Sequence, residues 1–139
     1  MAARIDEAAH ATGQPCPRDI GEYVRCINDS LALAYRRAVR QAMELSGREV
    51  KVLHVVGGGI RNRLLCQLAA DATGLPVLAG PAEGTALGNV VIAARGAGVI
   101  DGDLSDLRRL IRSSSRLTRY TPNLDTSSNW DDVERRLFG

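Results

Sequence analysis

Residues 50–62 read VKVLHVVGGGIRN, and the fold of the whole chain follows from how this stretch is read. Its first half is apolar and rich in β-branched residues (Val50, Val52, Leu53, Val55, Val56). Three consecutive glycines, Gly57, Gly58 and Gly59, then cut the run before a new periodic pattern begins. That order predicts a strand, a tight turn and a helix. Unbroken hydrophobicity predicts a strand covered on both faces, as in the parallel sheet of an α/β protein, and puts His54 in the core. Three glycines strip the turn of Cβ atoms, so a ligand or a second backbone can come close, and the amides opening the next helix face that space. The corner suits an anionic or nucleotide ligand, although glycines that only satisfy positive φ would look the same.

Downstream, Leu64, Leu65, Leu68, Ala69 and Ala72 recur at helical spacing until Gly74, and Leu75–Ala79, bounded by Gly80-Pro81, reads as a second strand. Pro76 fits the first residue of that strand or an edge position. Strand, helix and strand make a βαβ crossover, so the two strands are predicted parallel. A third helix starts within Glu83–Asn89, capped by Thr85, with Gly88 small enough for close packing. Ser105 caps a short helix over Asp106–Arg112.

Upstream, Ala2–Thr12 has helical composition and stops at Gly13. Asp19 and Glu22 form a capping-box-like start. Ile20, Val24, Ile27, Leu31, Tyr35, Ala38, Ala42 and Leu45 then recur at steps of three and four until Gly47, which predicts about seven helical turns. Arg25, Asp29, Arg36, Arg37 and Arg40 make up its polar face, expected to be solvated. After Arg116 the sequence RLTRYTPN reads as irregular, Ser127-Ser128-Asn129 as a linker, and Trp130–Phe138 as a terminal helical turn or frayed end.

Composition narrows the function classes. The 139 residues are 45% apolar and 24% charged with a net charge of +2, ordinary for a soluble domain, and no basic block calls for nucleic acid or a membrane surface. One Phe, three Tyr and one Trp are too few for a base-stacking platform. Cys16, Cys26 and Cys66 show no CxxC spacing and only His10 and His54 accompany them. This predicts a reducing, cytoplasmic setting and no metal site. The Walker pattern GxxxxGK[ST] is absent. The dinucleotide fingerprint GxGxxG fails at Asn62, where it needs Gly or Ala for tight helix–strand packing. A side chain that hydrogen-bonds at position 62 reads as a ligand contact or as a helix cap. Asp71, Glu83 and Asp101 lie on three separate elements, so no catalytic residue is named from spacing.

Longer stretches carry a family resemblance. IGEYVRCINDSLALAYRR and VLHVVGGGIRNRLLCQLAADATGLPVLAGPAEGTALGN resemble the C-terminal part of the FGGY carbohydrate kinases, most of all their rhamnulokinase subgroup. MAARIDEAAHATGQPCPRDIG and RSSSRLTRYTPN are also similar to that subgroup. The resemblance implies part of a ribonuclease-H-like, actin-like ATPase domain, ordered helix-strand-helix-strand-helix with parallel strands. It implies ATP-dependent phosphorylation of a ketose, L-rhamnulose to L-rhamnulose 1-phosphate, with Mg²⁺. Gly57 and Gly58 would lie against the nucleotide, with Gly59 in the same turn and Asn62 reaching the adenine or ribose; Thr85, Ala86, Leu87 and Gly88 would pack behind. No position here matches the family's upstream aspartate base, its sugar-binding segments or its main phosphate-binding segments. Residues 1–122 are therefore expected to be an incomplete portion of the second domain, inactive alone, and 123–139 a linker and tail. Ile60-Arg61 and Gly84 depart from the subgroup's usual residues. ATP is the implied partner, with the ketose engaged only alongside the upstream region, and neither nucleic acid nor membrane is implied. Two other readings stand beside this one: a non-catalytic module that self-associates or binds a partner through exposed apolar surface, and a dinucleotide-binding domain.

Overall fold

The parallel pair predicted from the glycine-terminated strand is present: β1 (Leu53–Val55) runs alongside β2 (Val77–Ala79), with Leu53 opposite Val77 and Val55 opposite Ala79. The computed structural model describes residues 1–123, 125 and 127–138. Around these strands lie α1 (Ala2–Ala11), α2 (Ile20–Ser46), α3 (Arg63–Thr73), α4 (Gly84–Gly96), α5 (Leu104–Ser113) and α6 (Ser127–Phe138). A third strand, β3 (Thr118–Tyr120), joins antiparallel to β2, giving the order β1-β2-β3. It comes from the RLTRYTPN stretch that reads as irregular, because three residues are too few to show a period. Ser127–Asn129, expected as a linker, opens α6 instead. Positions 124, 126 and 139 of the expected tail lie outside the described residues.

α3 is the central helix. Its Cys66, Ala69 and Ala70 pack on Val77 and Ala79, with Leu53, Val55, Ile60 and Tyr120 around them. Leu68 and Ala72 meet Ala32 of α2 and Trp130 of α6 in a second cluster. Alanines on both faces let α3 sit close to the sheet and to α2. The strand pleat turns Leu53 and Val55 toward α3 and His54 the other way. His54 is exposed, so neither the expected two-sided cover of β1 nor the core placement of His54 holds.

α2 has the expected length, and its caps obey local chemistry. The Asp19 carboxylate accepts from Glu22 N at 2.9 Å, and Gly47 ends the helix in the left-handed region at φ 63°. Glu22 does not close a capping box with Asp19; its carboxylate accepts from Arg18 N at 2.7 Å instead. The orientation of the helix differs more. Its buried residues are Asn28, Ala32, Leu33 and Arg36, while Ile20, Val24, Leu31, Tyr35 and Leu45 are exposed. Arg36, expected in solvent, is 5% exposed. Its guanidinium donates to Ala72 O at the end of α3 and to Asp131, and Nε donates to Glu134 at 2.8 Å. Arg40 donates to the same two carboxylates at 3.0 and 2.7 Å. A buried guanidinium holds its place only when its donors are satisfied, and α6 supplies two of the acceptors.

Two other predicted caps fall elsewhere. α5 is capped by Asp103 in a capping box with Asp106, not by Ser105. α4 begins at Gly84 behind Glu83, which makes no side-chain cap bond, and Thr85 lies inside the first turn. Gly88 does not serve close packing either, since a Cβ there would meet nothing within 4 Å.

α1 is held to α2 by the Tyr23 hydroxyl, which donates to Asp6 Oδ1 at 2.6 Å. The bond to Asp6 stabilises the neutral phenol and pushes its pKa up to about 12. Because the folded value lies above that of the unfolded chain, about 10, this tie is intact below pH 10 and is lost as pH rises through 12. An absorbance titration should show a tyrosine step near pH 12, and Tyr23→Phe should abolish it. A parent profile unchanged by Tyr23→Phe above pH 11 would contradict the bond.

Candidate active-site corner

The corner forms where β1 ends. Val56 is extended, and residues Gly57–Arg61 wind into one 3-10 turn that leads to Asn62 and α3. Gly57 has φ +74° and its N–H donates to Pro81 O at 3.0 Å, clipping the corner to the loop after β2. Glycine is required there, since side-chain-bearing residues rarely adopt that region. Gly58 is different. Its φ is not positive, it is exposed, and a Cβ added to it would meet nothing within 4 Å. At Gly59 an added Cβ would make only an ordinary contact, 3.6 Å from Val55 Cγ1. The fold demands glycine at position 57 alone, so the bare backbone at Gly58 and Gly59 is open toward solvent without a packing reason.

Asn62 is built into the scaffold as a cap. Its Oδ1 accepts from Leu65 N at 3.0 Å, and its Nδ2 donates to Asn28 Oδ1 at 2.8 Å. Asn28 is buried on α2 and passes its own amide to Val24 O at 2.9 Å. This pair ties α2 to the start of α3 directly beneath the glycine turn. Sequence reasoning missed Asn28, whose only signal was a polar residue on a helix face. Asn62 itself is exposed, and its amide nitrogen carries a second hydrogen.

Beside the corner an open cleft of about 700 Å³ is lined by Ile60, Arg61, Pro81, Glu83, Ser115 and Arg116, among others. It lies at the carboxyl ends of the parallel strands, where ligands of open α/β sheets bind. Arginines and one glutamate line it, and Ser115 Oγ is buried without a protein partner. The three carboxylates noted in the sequence do not assemble there. Glu83 lines the cleft, whereas Asp71 accepts from Gln67 Nε2 and Asn123 N, each at 2.8 Å. Among the described residues no three His, Cys, Asp or Glu side chains converge as metal ligands. Burial pushes the Cys66 thiol up, which keeps it protonated and unreactive. No helix among the described residues is long and apolar enough to cross a membrane.

Comparison with known proteins adds three findings. The model of the FGGY family of carbohydrate kinases, C-terminal domain, matches residues 2–97. The chain is 46% identical over 131 residues to a rhamnulokinase of Bacteroides thetaiotaomicron, and 42% identical over 126 residues to a rhamnulokinase of Klebsiella pneumoniae strain 342. These alignments cover 94% and 91% of this chain but 26% of each relative. The chain thus spans about a quarter of the length of the curated relatives it matches. The crystal structure of xylulose kinase from Rhodospirillum rubrum superposes with a TM-score of 0.64 at 26% identity, covering 89% of this chain and 25% of that one.

Proposed function

This chain belongs to the FGGY family of carbohydrate kinases, and from that membership we propose that it forms the nucleotide-side wall of an ATP-dependent sugar kinase. The observation that carries this reading is the pair Gly58 and Gly59: bare, solvent-facing backbone that the fold does not require. ATP's nucleoside end lies against Gly57, Gly58 and Gly59 in this reading, and the second amide hydrogen of Asn62 faces it from the start of α3. Similarity to rhamnulokinases favours L-rhamnulose as the acceptor and L-rhamnulose 1-phosphate as the product. Transfer of a phosphoryl group relies on several positioned charges acting together. No position of this chain matches the family's upstream aspartate base or its sugar-binding segments, so the chain alone is expected to bind nucleotide without turning it over.

Thermal unfolding with added nucleotide tests this. At ATP a hundredfold above its Kd the chain should gain about 2.7 kcal/mol, and NAD should give no gain. Gly58→Leu fills the open corner without touching the fold, so it should leave the ligand-free melting temperature unchanged and remove the ATP response. Stabilisation by NAD but not by ATP analogues would sink the kinase reading.

A further inference from the structure

We propose that Asn28 is a positioning residue for nucleotide binding: it holds the side-chain amide of Asn62 so that one N–H stays fixed at the glycine corner as a donor to the ligand. The proposal rests on the reading above. Backbone groups at both ends set the direction of the relay. Leu65 N can only donate, so Asn62 turns Oδ1 to it at 3.0 Å, which leaves Nδ2 for other partners. Val24 O can only accept, so Asn28 turns Nδ2 to it at 2.9 Å and presents Oδ1 to Asn62 Nδ2 at 2.8 Å. A side-chain amide is planar and its nitrogen carries two hydrogens. With the oxygen and one hydrogen held, the plane cannot turn, and the second N–H of the exposed Asn62 has a fixed direction.

Local structure accounts for neither end of this bond. Capping of α3 needs only Asn62 Oδ1. Among the described residues the other side-chain caps, Asp19 on α2 and Asp103 on α5, accept backbone N–H groups of their own first turns and no hydrogen bond from another helix. An aspartate at position 62 would cap as well as asparagine and would add a favourable charge at the helix N-terminus. What asparagine supplies instead is a donor.

Asn28, for its part, does little for α2. Asn ranks low as a helix former, the residue is buried, and its bond to the carbonyl four residues back competes with the helix ladder. An apolar side chain would fill the place without those demands, as the buried Ala32 does one turn on. The buried amide does one thing an apolar residue could not: it aims an acceptor at Asn62. A donor held in place before the ligand arrives loses no rotamer freedom on binding, so the brace acts on affinity through preorganisation.

Calorimetric titration of the 139-residue chain with ATP, well below its melting temperature, tests this with two variants. Asn28→Leu keeps the volume and removes the acceptor. Asn28→Asp keeps an oxygen facing Asn62 but gives up the amide donor to Val24 O. The leucine variant should bind ATP about five- to tenfold more weakly, while the aspartate variant, though lower-melting, should stay within about twofold of the parent. In an Asn62→Ala background, Asn28→Leu should change ATP affinity no further, because Asn28 acts only through Asn62. ATP affinity that simply follows melting temperature across the variants would overturn the proposal, as would parent-like affinity in Asn28→Leu or an undiminished loss in the Asn62→Ala background. Relaxation of the Asn62 side-chain ¹⁵N, measured without ligand, separates this proposal from the nucleotide reading. A rigid amide that Asn28→Leu loosens, in a parent that binds no ATP, defeats the nucleotide reading and supports the brace. A mobile Asn62 amide in the parent defeats the brace whatever the variants do.

Discussion

Arg36→Ala should cost about 3 kcal/mol of unfolding free energy and should release α6 before the rest of the chain unfolds. The substitution strips the buried Ala72 carbonyl of its donor and takes one of two guanidinium partners from Asp131 and Glu134. Opening a buried ion pair from one side costs about 3–5 kcal/mol. The lower end applies because Arg40 stays in place and the Asp131 side chain is 50% exposed. Trp130 is the only tryptophan and sits against Ala32, Leu68 and Ala72, so its emission reports α6 docking directly. In urea the variant should show a red shift of that emission ahead of the loss of helical circular dichroism, where the parent shows both together. Coincident transitions at the parent's midpoint would mean that the network does not hold α6.

The same network sets an acid limit. Hydrogen bonding from Arg40, with the nearby Arg36 charge, holds the Asp131 carboxyl below its usual range. A carboxylate depressed in the folded state contributes stability above its unfolded pKa of about 3.9, and that contribution disappears as pH falls through the folded value. The tryptophan red shift should therefore begin below pH 4 in the parent, and this acid step should be weakened most by Arg40→Ala, which removes the larger of the two causes.

Gly80→Ala should be comparably damaging for a backbone reason. Gly80 has φ +128°, and an added Cβ would lie 2.8 Å from Arg116 O and 2.9 Å from Leu117 Cδ2. Strain for a side-chain-bearing residue in that region is about 1–3 kcal/mol, and overpacking against a carbonyl adds to it. A total of about 3 kcal/mol is expected, with β3 displaced from β2 because Arg116 and Leu117 lead straight into Thr118. Gly58→Ala is the control, since its Cβ meets nothing. Equal stability of the two variants in denaturant would show that the approach of the 116–117 backbone is not tight.

Local signals in the sequence identified most elements. The alternation of apolar runs with Gly13, Gly47, Gly57 and Gly74 marked where helices and the first strand end, because these residues take positive φ values that others avoid. The longer motifs around GGG, ADATG and TALGN marked the family that the C-terminal-domain model then matched. Caps were less legible. Asp19 and Asn62 cap as their spacing suggests, but Thr85 and Ser105 each lie two residues past the N-cap, behind Glu83, which makes no side-chain cap bond, and Asp103, whose carboxylate caps its helix.

What residue order determined about this protein is its succession of helices and parallel strands and the bare corner after β1, all set by spacing and by glycine chemistry within a few residues. Tertiary structure decided which face of α2 is inside, that three residues after Leu117 form a strand, and that Asn62 leans on Asn28. Periodicity reports that a helix has two unlike faces. It does not say that acceptors 95 and 98 residues away will pull Arg36 inward while Ile20, Val24, Leu31 and Tyr35 stay exposed.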